Sequence, residues 1–214
     1  MNLLVIGDVH GSFYTFKELL DTYWDRGNEK IIQVGDLIDR GNYSSKVIGL
    51  CRELEKEGAV FLKGNHEYEM AQHVLKKPDE NWLKQHGKKT LRQYRTKEAV
   101  INDAWWMKLR PLYWENEFVL ISHGGIAEGV KNPFRESSFK SVLWNRGKIK
   151  NIGKMQIYGH AALGGGRAKY NEKSNAWDID TAASYGGYLT ALRVSGVGEV
   201  IEEVRVKANK KDWK

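Results

Sequence analysis

Five times in this chain a short apolar run stops abruptly, and within three residues of each stop stands Asp, His or Asn. Leu3-Leu4-Val5-Ile6 gives way to Gly7-Asp8-Val9-His10-Gly11, and Ile31-Ile32-Gln33-Val34 to Gly35-Asp36-Leu37-Ile38-Asp39-Arg40-Gly41. Ala59-Val60-Phe61-Leu62 leads into Gly64-Asn65-His66-Glu67, Phe118-Val119-Leu120-Ile121 into Ser122-His123-Gly124-Gly125, and Gln156-Ile157-Tyr158 into Gly159-His160. Runs of about four apolar residues bounded by turn signals fit strands buried on both faces. Such strands need cover on each side, which is the condition of a parallel sheet.

Between the early runs lie helical patterns. Ser12 is placed to cap a helix in which Phe16, Leu19, Leu20 and Tyr23 recur at i, i+3, i+4 and i+7, and Val47, Cys51 and Leu54 line a second. Alternating strands and helices predict an α/β fold with at least one mostly parallel sheet, in which ligands gather at the carboxyl ends of the strands. From about residue 67 to 112 the chain turns polar and helical, with Trp82, Trp105 and Trp106 among lysines and arginines, and reads as an inserted helical subregion of one domain covering 1–214. Segments 176–179, 188–194 and 200–206 read as strands separated by glycine turns, so a second sheet is expected. The final Lys-Lys-Asp-Trp-Lys reads as a frayed end.

Composition narrows the chemistry. With 41% hydrophobic and 29% charged residues and only 3 Pro in 214, the chain fits neither disordered nor collagen-like sequence, nor a membrane span. Cys51 stands alone, which excludes an intramolecular disulfide and any site built from two thiolates of this chain. Asp8 interrupts the first apolar run and no basic region precedes it, so a cytoplasmic location is expected (a host cytoplasm for a phage protein), with no membrane partner. The formal charge of +7 suits phosphate-rich partners and suits a solvated lysine-rich surface equally well.

A metal in such a chain must rely mainly on His, Asp, Glu or Asn. Two residues apart on extended chain, Asp8 and His10 project from one side and can grip a single ion. Gathered at one sheet edge, Asp8, His10, Asp36, Asn65, His123 and His160 are too many for one tetrahedral ion. Two ions roughly 3.5–4 Å apart, bridged by a carboxylate, would clamp the attacking and leaving oxygens of an in-line displacement at phosphorus. Asp36 is the candidate bridge, and the nitrogen and oxygen donors suit manganese, iron, zinc or nickel. The glycines flanking these residues let the backbone turn off each strand. One such motif is commonly surface decoration, whereas five at strand ends are not explained that way.

Gly-Asp-x-His-Gly at 7–11, Gly-Asp-x-x-Asp-Arg-Gly at 35–41 and Gly-Asn-His-Glu at 64–67 resemble the signature of the calcineurin-like metallophosphoesterases, and among them the phosphoprotein phosphatase family. The resemblance continues through Ser122-His123-Gly124-Gly125, Leu143-Trp144-Asn145-Arg146, Tyr158-Gly159-His160 and Ile179-Asp180-Thr181, and so covers most of the chain. In length and in its Trp-Asn-Arg and Ile-Asp-Thr segments it is most similar to the small bacterial and bacteriophage branch that includes the bacteriophage lambda protein phosphatase. Diadenosine tetraphosphatases are near relatives of that branch.

The resemblance implies two packed mixed β-sheets flanked by helices in four α-β-β-α layers, with the site along one sheet edge. It implies that Asp8, His10 and Asp36 hold a first divalent ion and Asp36, Asn65, His123 and His160 a second, with manganese the expected metal. His66 would be the general acid, Asp39 would orient its imidazole, and Arg40 and Arg146 would bind the phosphoryl oxygens. A positioned acid is worth roughly 10²–10⁴ in rate on a poor leaving group, and the planar fork of Arg matches two phosphate oxygens. The chain departs from the family pattern after His160, where Ala161-Ala162-Leu163-Gly164-Gly165-Gly166-Arg167 replaces a frequent Thr-Pro, at Ala182, which replaces a frequent glycine, and at Lys63, where many members carry Arg. None of these removes a ligand.

The leading expectation is a metal-dependent phosphomonoesterase of the serine/threonine protein phosphatase type, with possible dual specificity, acting by direct attack of a hydroxide held between the ions. Its partner would be a phosphorylated protein or peptide. The alternative is hydrolysis of a phosphorylated nucleotide, as a dinucleoside polyphosphate or an RNA-end phosphate, on the same centre. The stretch with Trp82, His86, Lys88, Lys89, Arg92, Arg95, Trp105, Trp106 and Arg110 could stack a base, although packing of its tryptophans onto the body is the more economical reading. A non-catalytic nucleic-acid binder is the third class, and the intact ligand set argues against it.

Overall fold

Strand alternation sets the layering. In the computed structural model, which describes residues Met1–Lys214, β1 (Asn2–Ile6) sends Leu4 and Ile6 into one core and Leu3 and Val5 into another. In chain order follow α1 (Phe13–Tyr23), β2 (Glu29–Gln33), α2 (Ser44–Lys56), β3 (Val60–Phe61) and α3 (Asn65–Leu75). Next come α4 (Glu80–Trp82), a π-helical turn at Leu83–Gly87, α5 (Lys88–Leu91) and α6 (Lys97–Lys108). The second half holds β4 (Tyr113–Glu115), β5 (Val119–Ser122), β6 (Met155–Tyr158), β7 (Lys169–Asn171), β8 (Ala176–Asp178), β9 (Tyr188–Val194), β10 (Val200–Lys207) and α7 (Lys210–Trp213). No helix is long and apolar enough to cross a membrane.

The strands form two mixed five-stranded sheets, ordered β10-β9-β1-β2-β3 and β4-β5-β6-β8-β7. In the first, β1, β2 and β3 run parallel and β9 and β10 close the edge antiparallel. In the second, β5, β6 and β8 run parallel between antiparallel edges. Between the sheets, Leu3, Val5, Ile32, Val34 and Leu62 meet Val119, Ile121 and Ile157 in a core of 12 buried residues. On the outer face of the first sheet, Phe16 and Leu19 of α1, Val47, Cys51 and Leu54 of α2, and Met70, Trp106 and Met107 join a core of 24. The outer face of the second sheet carries Leu120, packed with Ile126 and Val142 of the long β5–β6 connection. This face-to-face arrangement places the ends of β1, β2, β3, β5 and β6 at one edge.

Two expectations are corrected. Ser12 precedes α1, yet its side chain makes no capping hydrogen bond; the cap comes from the far end of the chain. Asp212, fully buried, accepts the N–H groups of Tyr14 at 3.0 Å and Thr15 at 2.9 Å and the Thr15 hydroxyl at 2.7 Å. The last residues are therefore not frayed: α7 docks its aspartate on the positive end of α1, where a carboxylate is favoured. β4 and β7 were not anticipated, because Tyr113-Trp114-Glu115 and Lys169-Tyr170-Asn171 are largely exposed edges with no apolar run. Replacing Asp212 by Ala is expected to cost about 1–3 kcal/mol in urea unfolding, the penalty of orphaned buried donors, while Ser12→Ala, which removes a buried hydroxyl without a partner, is expected to be neutral or stabilising.

Candidate active site

Beyond Ile6 and Gln33 the first two strands end in turns that interlock. The N–H groups of Val9 and His10 donate to the Asp36 carbonyl at 3.1 and 2.8 Å, and Gly11 N–H donates to Leu37 O at 2.8 Å. Seven residues other than glycine hold positive φ, and five of them are here: His10 (44°), Asp36 (58°), Asp39 (70°), Arg40 (63°) and His160 (76°). Each left-handed residue of this kind costs of order 1–3 kcal/mol and persists only where its surroundings enforce it. The convergence of Asp8 and His10 thus comes from a left-handed turn at His10, not from extended-strand alternation. Two glycines permit the closest approaches: a Cβ on Gly64 would lie 2.1 Å from Asp36 Oδ1, and one on Gly159 would lie 1.9 Å from Asp8 Oδ1.

Glu67 enforces much of this geometry. Its buried carboxylate accepts N–H groups from Asp36 (2.7 Å), Gly64 (2.8 Å), Leu37 (2.8 Å) and Ile38 (3.3 Å), tying the β2 loop to the start of α3. Burial, then the charge of Asp36, pushes its pKa up to about 7. Although Glu67 closes the Gly-Asn-His-Glu motif, the sequence reading gave it no task; four converging backbone donors supply one.

The expected donors gather around Asp36. His10 Nε2 lies 3.4 Å from Asp36 Oδ2 and 3.9 Å from Asp8 Oδ2, and His123 Nε2 lies 3.4 Å from Asp36 Oδ1. His123 Nε2 is also 3.1 Å from Asn65 Oδ1 and 3.0 Å from His160 Nδ1. Two groups of ligand atoms within 4.8 Å of one another share Asp36: His10, Asp36 and His66, and Asp36, His123 and His160. Asp8 adjoins them, its carboxylate accepting the His160 N–H at 3.2 and 3.1 Å. His66, expected to act only as an acid, joins the first group as well.

The electrostatics are those of a cation site. Asp8 is pushed well above the carboxylate range by burial and by the charges of Asp180 and Asp36. Burial acts to raise Asp36 too, but the imidazoles of His123, His66 and His10 outweigh it and hold it well below its ordinary value. Burial drives His10 down, and drives His160 down to about 3 with help from His123, leaving both neutral. Neutral imidazoles and ionised carboxylates are the forms that ligate metal. Asp36 Oδ2 and Asp180 Oδ2 are buried without a hydrogen-bond partner, so the chemistry of the donor set fits divalent ions. Asp180 was noted in the sequence only as part of a motif.

Beside this cluster stands the expected acid. His66 Nδ1 donates to Asp39 Oδ2 at 2.7 Å. Burial lowers the His66 pKa, but the Asp36 charge and the Asp39 hydrogen bond prevail and lift it to about 9. Arg40 Nη1 donates to His10 Nε2 at 2.7 Å and Nη2 lies 3.3 Å from His66 Nε2, so its guanidinium lies inside the cluster, with Tyr185 stacked at 5.3 Å. Arg146 is exposed at the rim, near enough to lower the His160 pKa. Of the candidate stacking residues, Trp82 and Trp106 are buried in the core and only Trp105 is exposed. An aromatic surface does flank the site: Tyr68, Phe139 and Trp144 wall a cleft of about 340 Å³ that also carries Glu69, Asp79 and Asn81.

Two face-to-face mixed sheets with a buried His, Asp and Asn cluster at their strand ends define a phosphoester hydrolase of the metallophosphoesterase class. The model of the calcineurin-like phosphoesterase family matches residues 1–191, and the chain belongs to that family. It is 30% identical over 230 residues to the asymmetrical bis(5'-nucleosyl)-tetraphosphatase of Oceanobacillus iheyensis, covering 90% of this chain and 88% of that one. It is 26% identical over 203 residues to serine/threonine-protein phosphatase 1 of Salmonella typhimurium, covering 89% and 90%. Among solved structures, a protein serine/threonine phosphatase from Saccharomyces cerevisiae superposes with a TM-score of 0.68 at 17% identity, over 98% of this chain and 81% of that one, a likeness of fold.

Two outcomes test this electrostatic picture. Glu67→Gln turns one acceptor oxygen into a donor facing N–H groups, and denaturant unfolding is expected to register a loss of roughly 2–3 kcal/mol. Asp178, at the end of β8, is lifted to about 8, by burial first and by Asp180. Because its native form keeps a proton that the unfolded chain releases near pH 4, its stabilisation is present at low pH and is lost as pH rises through about 8. Asp178→Asn should therefore melt progressively above wild type from pH 5 to 8.5, and a constant difference would contradict the shift.

Proposed function

We propose that the protein hydrolyses nucleoside polyphosphates, cleaving a phosphoanhydride of a bis(5'-nucleosyl) tetraphosphate or a close analogue. The observation that carries this reading is the 30% identity, over 90% of the chain, to the Oceanobacillus tetraphosphatase. The aromatic cleft supports it: Trp144, tethered through Nε1 to the Glu136 carbonyl at 3.0 Å, and Tyr68, perpendicular to it at 5.9 Å, offer faces for a nucleobase beside the phosphate site. This reverses the expected order of substrates, in which phosphoproteins came first. Dephosphorylation of phosphoserine or phosphothreonine is the second reading, favoured by the similarity to the Salmonella phosphatase.

On either reading the residues take the same parts. Asp8, His10 and Asp36 would hold one divalent ion and Asp36, Asn65, His123 and His160 another, manganese being the expected metal. Bound there, such ions supply Lewis-acid stabilisation of phosphoryl charge and a water acidic enough to serve as a nucleophile at neutral pH. Arg40 and Arg146 bind non-bridging phosphoryl oxygens. His66 gives a proton to the departing oxygen, and Asp39 holds the ring so that Nε2, not Nδ1, faces the substrate. A departing nucleotide phosphate needs that proton less than a departing alkoxide does, so the share of catalysis owed to His66 depends on the substrate.

A turnover panel with manganese tests the proposal. Diadenosine tetraphosphate is expected to exceed phosphoserine and phosphothreonine peptides by at least tenfold in kcat/KM, about 1.4 kcal/mol in transition-state binding. Peptides exceeding the dinucleotide by that margin would move the protein to the second reading. His66→Asn is expected to lose on the order of 10²-fold or more on a phosphoserine peptide and much less on the dinucleotide.

A further inference from the structure

The helical segment after α3 meets the proposed active site at the Asp39 carboxylate, as well as at the Arg40 carbonyl, which accepts from Lys89 Nζ at 2.6 Å. Asp39 is fully buried and accepts from three side chains. His66 Nδ1 and Trp82 Nε1 both donate to Oδ2 at 2.7 Å, and the Thr90 hydroxyl donates to Oδ1. Trp82 is 1% exposed and Thr90 is 0% exposed, so neither donor has water as an alternative partner. A carboxylate held by one imidazole alone keeps the freedom to rotate about its last bond. Neutral donors on both oxygens remove that freedom without adding charge.

The local helix geometry is built for this grip. In an unbroken α-helix, eight residues turn about 800° and leave Trp82 and Thr90 some 80° apart on the helix surface. The π-helical turn at Leu83–Gly87 lies between them; its wider i→i+5 winding takes up that excess and returns both side chains to one face. Gly87 is needed at the bend, since a Cβ there would lie 2.6 Å from the Trp82 ring. The same turn sets the His86 ring 4.9 Å from that of His66.

We infer that Trp82 and Thr90 are positioning residues for proton donation, fixing Asp39 and through it the His66 ring. This inference rests on the reading of His66 as the general acid. Neither residue touches the reacting atoms, and the helical segment that bears them completes the acid only when docked.

The test uses Trp82→Phe, which keeps a ring and removes the N–H, Thr90→Val, which keeps the shape and removes the hydroxyl, and the double variant. Each is compared with wild type and His66→Asn on phenyl phosphate and on p-nitrophenyl phosphate, whose leaving group departs without help. The double variant is expected to lose about tenfold in kcat on phenyl phosphate and less than twofold on p-nitrophenyl phosphate, with KM unchanged. In the zinc-loaded protein, the low-field proton resonance of His66 Nδ1–H should broaden or shift in each variant. Equal losses on both esters, or an unmoved resonance with no loss on phenyl phosphate, would overturn the inference. If His66→Asn itself lost equally on both esters, the acid reading would fail instead, which separates the two failures. Should Trp82→Phe fold poorly, Thr90→Val carries the same test.

Discussion

Three carboxylates, those of Asp8, Asp36 and Asp180, lie buried within one another's fields, and the site is organised around relieving that repulsion. Burial alone would protonate all three, and Asp8 and Asp180 are indeed pushed up. Asp36 escapes because His123, His66 and His10 surround it and hold it ionised. Such a concentration of charge in a water-poor setting is costly unless cations or hydrogen bonds answer it. The fold supplies part of the answer in imidazoles, in the Arg40 guanidinium and in backbone N–H groups. Divalent ions on the same donors would supply the rest.

Holding those charges together requires backbone that no isolated chain would adopt. Left-handed conformations at His10, Asp36, Asp39 and Arg40 occur within two consecutive strand-end loops. Glu67 holds the second loop against α3 through three of that loop's N–H groups, while the His10 and Asp36 loops bond directly to one another. The two-sheet body makes this strain affordable, because each loop leaves a parallel strand anchored in one or both cores. Local strain at the site and apolar packing behind it are therefore parts of one design.

Much of this was legible in the sequence because it was written in local patterns. Apolar runs ending at Gly-Asp, Gly-Asn or Ser-His marked both the strands and the donors they carry, and those donors lie close together at one edge. What escaped lacked a local signature. The cap on α1 comes from Asp212, some two hundred residues away, so the nearby Ser12 seemed sufficient. Trp82 reads in the sequence as a base-stacking or core-packing residue and Thr90 carries no signal, and only the π-helical turn between them reveals a common target. Asp180 stands two residues past β8, as Asp8 stands two past β1, but β8 is no apolar run, and the adjacency of Asp180 to Asp8 depends on the packing of one sheet on the other. β4 and β7, largely exposed edges, carry no apolar run to announce them.

The same centre would serve an anhydride or an ester, so the choice of substrate falls to the surroundings: the aromatic cleft, the two arginines and the contribution of the acid. The centre itself is the common claim, with Asp36 as the group shared by two ions. Counting metal per chain, by elemental analysis after equilibration with manganese and gel filtration, tests it most directly. Wild type is expected to hold two ions, and Asp36→Asn to retain fewer than one while keeping its fold by circular dichroism. Two ions retained by Asp36→Asn at undiminished affinity would contradict the account.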